Sequence, residues 1–169
     1  MTREAAVAIL VAVAVLLLGL MAWGWWRRSR RDRALSAPTD VPVDAAATAS
    51  FSGLYVATTR HDAPLDRLAI RHLAYRGRVR VDVTATGVIL RIAGEPDVFL
   101  GAPLLLEVGR ATWTIDRVVE RDGLVYLAWR VDDTTVADSY LRLQGTDSDA
   151  LVAAVQEILP APTTTGPDA

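Results

Sequence analysis

The sequence predicts a mainly β fold, with an N-terminal transmembrane helix followed by a bent β-barrel of about seven strands closed by a C-terminal amphipathic helix. Three observations carry this expectation. Ala5–Trp26 is a run of 22 residues without a charge. From Phe51 onward apolar side chains recur at every second position, the period of a half-buried strand. In the last stretch, "TDSDALVAAVQEILP", the repeat lengthens to that of a helix.

The first element follows from length and flanks. About 20 residues at 1.5 Å rise cross the hydrocarbon core, so residues 5–26 suffice for a span. A cleaved secretion signal would carry a basic start, a shorter apolar region and a small-residue site. Here Arg3 is offset by Glu4, and the run ends in Trp23, Trp25 and Trp26. Tryptophans favour the headgroup level, and basic residues beside a span stay in the cytoplasm. Arg27, Arg28, Arg30, Arg31 and Arg33 therefore form a membrane-interface collar with the tryptophans. The expected topology is single-pass in the cell (inner) membrane, amino terminus outside and the C-terminal domain cytoplasmic. The collar sets topology and snorkels. A sharper reading lets it recruit anionic lipid, at about 1 kcal/mol per basic residue. Its place at the headgroups argues against nucleic acid as a partner.

Residues 27–50 read as a basic juxtamembrane segment and flexible linker. "ALSAPTDVPVDAAATAS" has small residues, two prolines and little charge. Its 17 residues would reach roughly 20–25 Å as a random coil. Residues 51–159 form the domain, and residues 160–169, "PAPTTTGPDA", a disordered tail.

Within the domain, "FSGLYVATT" and "RLAIRHL" read as strands. In "RVRVDVTATGVILRIAG", Val79, Val81 and Val83 share one face, and Val88, Leu90 and Ile92 line up again beyond a turn near Thr86-Gly87. "DVFLGAPLLLEVG" supplies short strands near Val98–Leu100 and Leu104–Val108. "ATWTIDRVV" and "LVYLAWRV" flank Asp122-Gly123 and predict a second hairpin, with Trp113, Ile115 and Val119 turned inward. "TTVADSYLRL" makes a further strand. In the final helix Leu151, Val152, Val155, Ile158 and Leu159 form one stripe, acids occupy the first turn, and Pro160 stops it.

Chemistry-bearing patterns are sparse. The chain has no cysteine, so disulfides, thiolate ligands and cysteine nucleophiles are excluded. His61 and His72 are the two histidines, and neither sits in an H-E-x-x-H or related spacing, so no metal site is expected. A Ser–His–acid reading would pair them with Ser52 or Ser139, but no G-x-S-x-G elbow accompanies these serines. Gly87, Gly94, Gly101 and Gly109 never form a phosphate-cradling loop. No cofactor, nucleotide or catalytic residue is expected, and the chain is read as non-enzymatic.

Seven strands and a closing helix is the order of pleckstrin-homology-like (PH-like) barrels. The pieces "WGWWRRSRR", "FSGLYVATTRHDAPLDRLAIR", "ATWTIDRVVERDGLVYLAWRVDDTTVADSYLR" and the last helix resemble actinobacterial-type single-pass membrane proteins carrying a PH-like domain. The resemblance implies a fold and a membrane address rather than an activity. It points to a membrane-anchored, non-catalytic binding or scaffolding module that recognises a protein partner. The alternatives are an anionic-lipid sensor or an auxiliary subunit of a transport or export system. For headgroup or partner contact the candidates are Arg60, Arg71, Arg78 and Arg80. Acidic residues interleave with them, and residues 51–160 hold 12 arginines against 15 acids. A solvated face of Arg–Asp pairs is the simpler reading of that pattern. Tyr55, Tyr126 and Tyr140 are candidate anchors for a partner.

Overall fold

The computed structural model describes residues 3–32, 35–111, 113–114, 117–118, 123–143 and 147–160. The chain divides into two units, Met1–Ala34 and Leu35–Ala169.

The first unit is one helix, α1 (Arg3–Asp32), which continues through the tryptophans into the arginines. Among the described residues, no helix is long and apolar enough to cross a membrane. This corrects the transmembrane helix expected over residues 5–26. Trp23 and Trp26 are exposed. Arg33 and the side chains of Trp25, Arg28, Arg30 and Arg31 fall outside the described residues.

The second unit is built on one sheet. Its strands are β1 (Ala47–Arg60), β2 (Ala63–Arg67), β3 (Gly77–Thr84), β4 (Gly87–Ile92), β5 (Val98–Gly101), β6 (Leu105–Ala111), β9 (Leu124–Arg130) and β10 (Val136–Leu143). A separate pair, β7 (Trp113–Thr114) and β8 (Arg117–Val118), is inserted between β6 and β9. The sheet order is β5-β4-β3-β1-β10-β9-β6, with β2 paired to β1. All described pairings within it are antiparallel. The path is open, because the end strands β5 and β6 do not pair, and the expected closed barrel is corrected to an open sheet.

β1 is long because it serves both halves. Residues 47–55 pair with β3, and residues 53–60 pair with β10. A bulge between Tyr55 and Ala57 changes which residues face the core. Before it the odd residues point inward; after it Thr58 lies opposite core-facing Ser139. The β3–β4 hairpin matches its alternation, with Val79, Val81, Val83, Val88, Leu90 and Ile92 all buried. β9 pairs with β10 and with β6, whose last residue, Ala111, is the only described residue of "ATWTIDRVV" paired with it. β6 contributes Leu105 and Val108 to the core. The inward turn expected of Trp113, Ile115 and Val119 concerns side chains outside those described.

Helix α2 (Asp147–Gln156) lies against β6, β1, β10 and β9 and adds Leu151 and Val155 to the core. Arg110 on β6 ties to Asp149 in its first turn at 2.8 Å. "RLAIRHL" is not a strand beyond Arg67; Leu68, Ile70 and Leu73 are instead buried loop residues. The expected linker is docked at its start. Leu35 and Ala37 join the core cluster, Leu35 accepts from the Arg71 N–H, and Phe99 N–H on β5 donates to the Pro38 carbonyl at 2.9 Å.

A chain of buried polar groups runs through the core. Trp129 Nε1–H donates to Ser139 Oγ (3.0 Å), which bonds Thr58 Oγ1 (2.7 Å), which bonds Tyr55 OH (2.7 Å), which donates to the Leu73 carbonyl (2.8 Å). An indole N–H only donates and a carbonyl only accepts, so the proton direction along all four bonds is fixed. Burial also pushes the Tyr55 hydroxyl up, beyond the reach of ordinary titration.

Candidate functional site

The side of the sheet facing away from the core is divided in two. At one end, β4, β3, β1 and β10 expose Arg91, Arg80, Arg78, Ser50, Ser52, Leu54 and Arg142. Registration sets them in rows. Arg91 lies opposite Arg80, and Arg80 opposite Ser52. In the next row Arg78 and Arg142 lie on either side of Leu54, which pairs with both. Leu54 is 47% exposed.

Asp82 anchors the first row. Its Oδ1 accepts from Ser50 Oγ (2.6 Å) and Arg80 Nε (2.9 Å), and its Oδ2 from Arg91 Nε (2.8 Å). Burial alone would raise this carboxyl, but the three donors together hold it below the usual carboxylate range. Arg91 also reaches Asp97 at 2.7 Å. Arg80 and Arg91 are thus largely neutralised. Among the described residues no carboxylate pairs with Arg78 or Arg142.

The other end is buried and acidic. His61 Nδ1 bonds Asp138 Oδ1 at 2.7 Å, and the Asp62 N–H also donates to Asp138. Asp62 adopts left-handed backbone (φ 58°) to make this turn between β1 and β2. Burial raises the Asp138 carboxyl, with His61 opposing; the Asp138 hydrogen bond raises His61. Tyr126 donates to Glu107 at 2.6 Å, which pushes the phenol up to about 12. The rings of Tyr126 and Tyr140 are 6.3 Å apart.

The Ser139 hydroxyl takes no part in this arrangement. Ser139 follows Asp138 on one strand, so it faces the opposite side, where its hydroxyl is held between Trp129 and Thr58. Among the described residues, no group of three or more potential ligands could hold a metal ion.

The sequence candidates separate into three places. Arg78 and Arg80 share the exposed face. Arg60 lies beyond the bulge, in register with buried Ala137, and pairs with Asp66 at 3.2 Å. Arg71 sits in the loop bridged to Ser36. Tyr55 and Tyr140 are buried, and Tyr126 is half-buried against Glu107. Leu54, Arg91 and Arg142 were missed by sequence reasoning. Alternation was their signal, since Ser50, Ser52 and Leu54 are the outward phase of β1, and Arg142 stands between inward Leu141 and Leu143.

The strand order, with the first strand central and a helix at the end, defines a PH-like sheet. Residues 34–158 match the family described as bacterial PH domain-like. The chain belongs to that family. No curated protein matches the sequence. Among solved structures it is similar to the C-terminal domain of an unknown protein from Leishmania infantum, at 10% identity and a TM-score of 0.43. That match covers 81% of this chain and 96% of the other.

Proposed function

We propose that the chain is a non-catalytic binding module that recognises a protein partner through the exposed end of its outer sheet face. One observation carries the reading: Leu54 is left open to solvent between Arg78 and Arg142, two guanidinium groups without a described ion-pair partner. An apolar centre with an arginine rim is the composition of a recognition surface, since aromatic, apolar and arginine contacts carry most interface energy. Membership of the bacterial PH domain-like family supports a binding role. Ser139, the serine next to Asp138, turns its hydroxyl into the core and is no partner for the His61–Asp138 pair.

The test uses the full chain with a photo-crosslinking amino acid at Ser52, which lies on this face, and in a second protein at fully exposed Val43. Amine-reactive reagents are unsuitable because the chain has no lysine. A discrete crosslinked protein from the Ser52 position and none from Val43 is the expected result. Equal labelling from both positions, or none from either, refutes the reading.

A further inference from the structure

We propose that the occupant of this face is an extended, acidic segment of the partner protein, with carboxylates at positions i and i+4 and an apolar side chain at i+2. The inference rests on the protein-binding reading above and names the chemistry that face would recognise.

The spacing argument starts from the register. Arg78, Leu54 and Arg142 occupy three adjacent strands in one row. Neighbouring strands are about 4.8 Å apart, so the two arginine backbones lie about 10 Å apart. An extended segment presents side chains on one face every ~6.8 Å, so its i and i+4 positions are ~13.6 Å apart. The mismatch of roughly 4 Å is within the reach of two flexible arginine side chains splayed outward. The i+2 side chain then lies on Leu54. The segment crosses the strands, because Arg78, Leu54 and Arg142 lie in one row across three of them.

Charge selects the class of occupant. Residues 51–160 hold 15 acids against 12 arginines, so a broad anionic surface meets net repulsion. A short segment samples only its own neighbourhood, because screening cuts interactions beyond about 8–10 Å. Within that radius of Leu54 stand Arg78 and Arg142, its register partners on the two neighbouring strands, and Asp82, four residues along β3 from Arg78, already accepts from three donors. A bilayer would gain only about 1 kcal/mol from each of these two arginines. The flat mid-sheet position of Leu54 gives a membrane nothing to insert. A bidentate guanidinium–carboxylate contact on each side of an apolar pair is the stronger match.

The experiment is fluorescence anisotropy of a labelled peptide, acid-x-Leu-x-acid, titrated with the full chain. Saturable binding is expected, weakened about tenfold or more by Arg78→Glu combined with Arg142→Glu. Leu54→Asp should weaken it comparably, while Arg130→Glu, on an exposed residue outside the row, should leave it unchanged. All these positions are exposed, and unchanged thermal melting confirms that each variant folds. Equal affinity for the wild type and the double variant overturns the inference. So does binding to vesicles rich in phosphatidylserine without binding to the peptide. If the peptide fails while the Ser52 crosslink persists, the acidic segment is wrong and the protein-binding reading stands; loss of both sinks the reading itself.

Discussion

Replacing Ser139 by alanine removes one oxygen from the middle of the chain that runs from Trp129 to the Leu73 carbonyl. The Trp129 N–H is fully buried and has no second described acceptor, so it loses its partner outright. An unsatisfied buried donor costs about 1–3 kcal/mol. Thr58 keeps its bond to Tyr55 but loses the proton it accepted, adding about 0.5–1 kcal/mol. Ser139→Ala should therefore destabilise the domain by about 1.5–4 kcal/mol, although it deletes no apolar contact. Urea unfolding measures this as a lower midpoint with an unchanged slope. Because one proton direction links all members, Thr58→Val and Ser139→Ala should be non-additive, the double variant costing less than the two single costs combined. A coupling of at least ~0.5 kcal/mol is expected. A Ser139→Ala cost within about 0.5 kcal/mol of zero, or strict additivity with Thr58→Val, would refute the fixed chain.

Other expectations concern neighbouring features. His61 is raised from its usual 6.5 by Asp138, so its contribution is complete below that pH and lost as pH rises through the folded value. Thermal melts should show stability falling as the pH rises above 6.5, and His61→Gln should flatten the curve. Gly53→Ala drives a methyl group into the Arg142 carbonyl and the Leu143 side chain. It should cost about 1–3 kcal/mol, read by urea unfolding. Leu35→Ala should lower stability by about 2 kcal/mol if Leu35–Pro38 belongs to the domain, and limited proteolysis should then cut this segment faster. Asp82→Asn releases Arg80 and Arg91 and should tighten binding of the acidic peptide by anisotropy, about threefold or more.

Much of the sheet was legible because its signal is local. The β3–β4 hairpin shows its alternation within 15 consecutive residues, Arg78–Ile92, and Val79, Val81, Val83, Val88, Leu90 and Ile92 are all buried. The closing helix was legible for the same reason. Partner choice was not, since "LVYLAWRV" has two plausible neighbours and tertiary packing selected β6. Loop burial escaped too: Leu68, Ile70 and Leu73 look like strand residues but plug the core from a connection. Two of the basic candidates are parted by a feature that alternation does not show. A bulge cannot be read from alternation, and one extra residue near Val56 sends Arg60 to the opposite side from Arg78. Arginine content alone did not locate the open face; knowing which arginines a carboxylate already holds did.

The docking of Phe99 on Pro38 has a consequence for the protein in a crowded cell. β5 ends the sheet, and an uncovered terminal strand is a template on which further copies can stack into fibres. The carbonyl of Pro38 occupies the Phe99 N–H, and the imino nitrogen of proline has no hydrogen to offer a newcomer. A segment that composition marks as slack tether thus acts as a stopper, guarding against self-association.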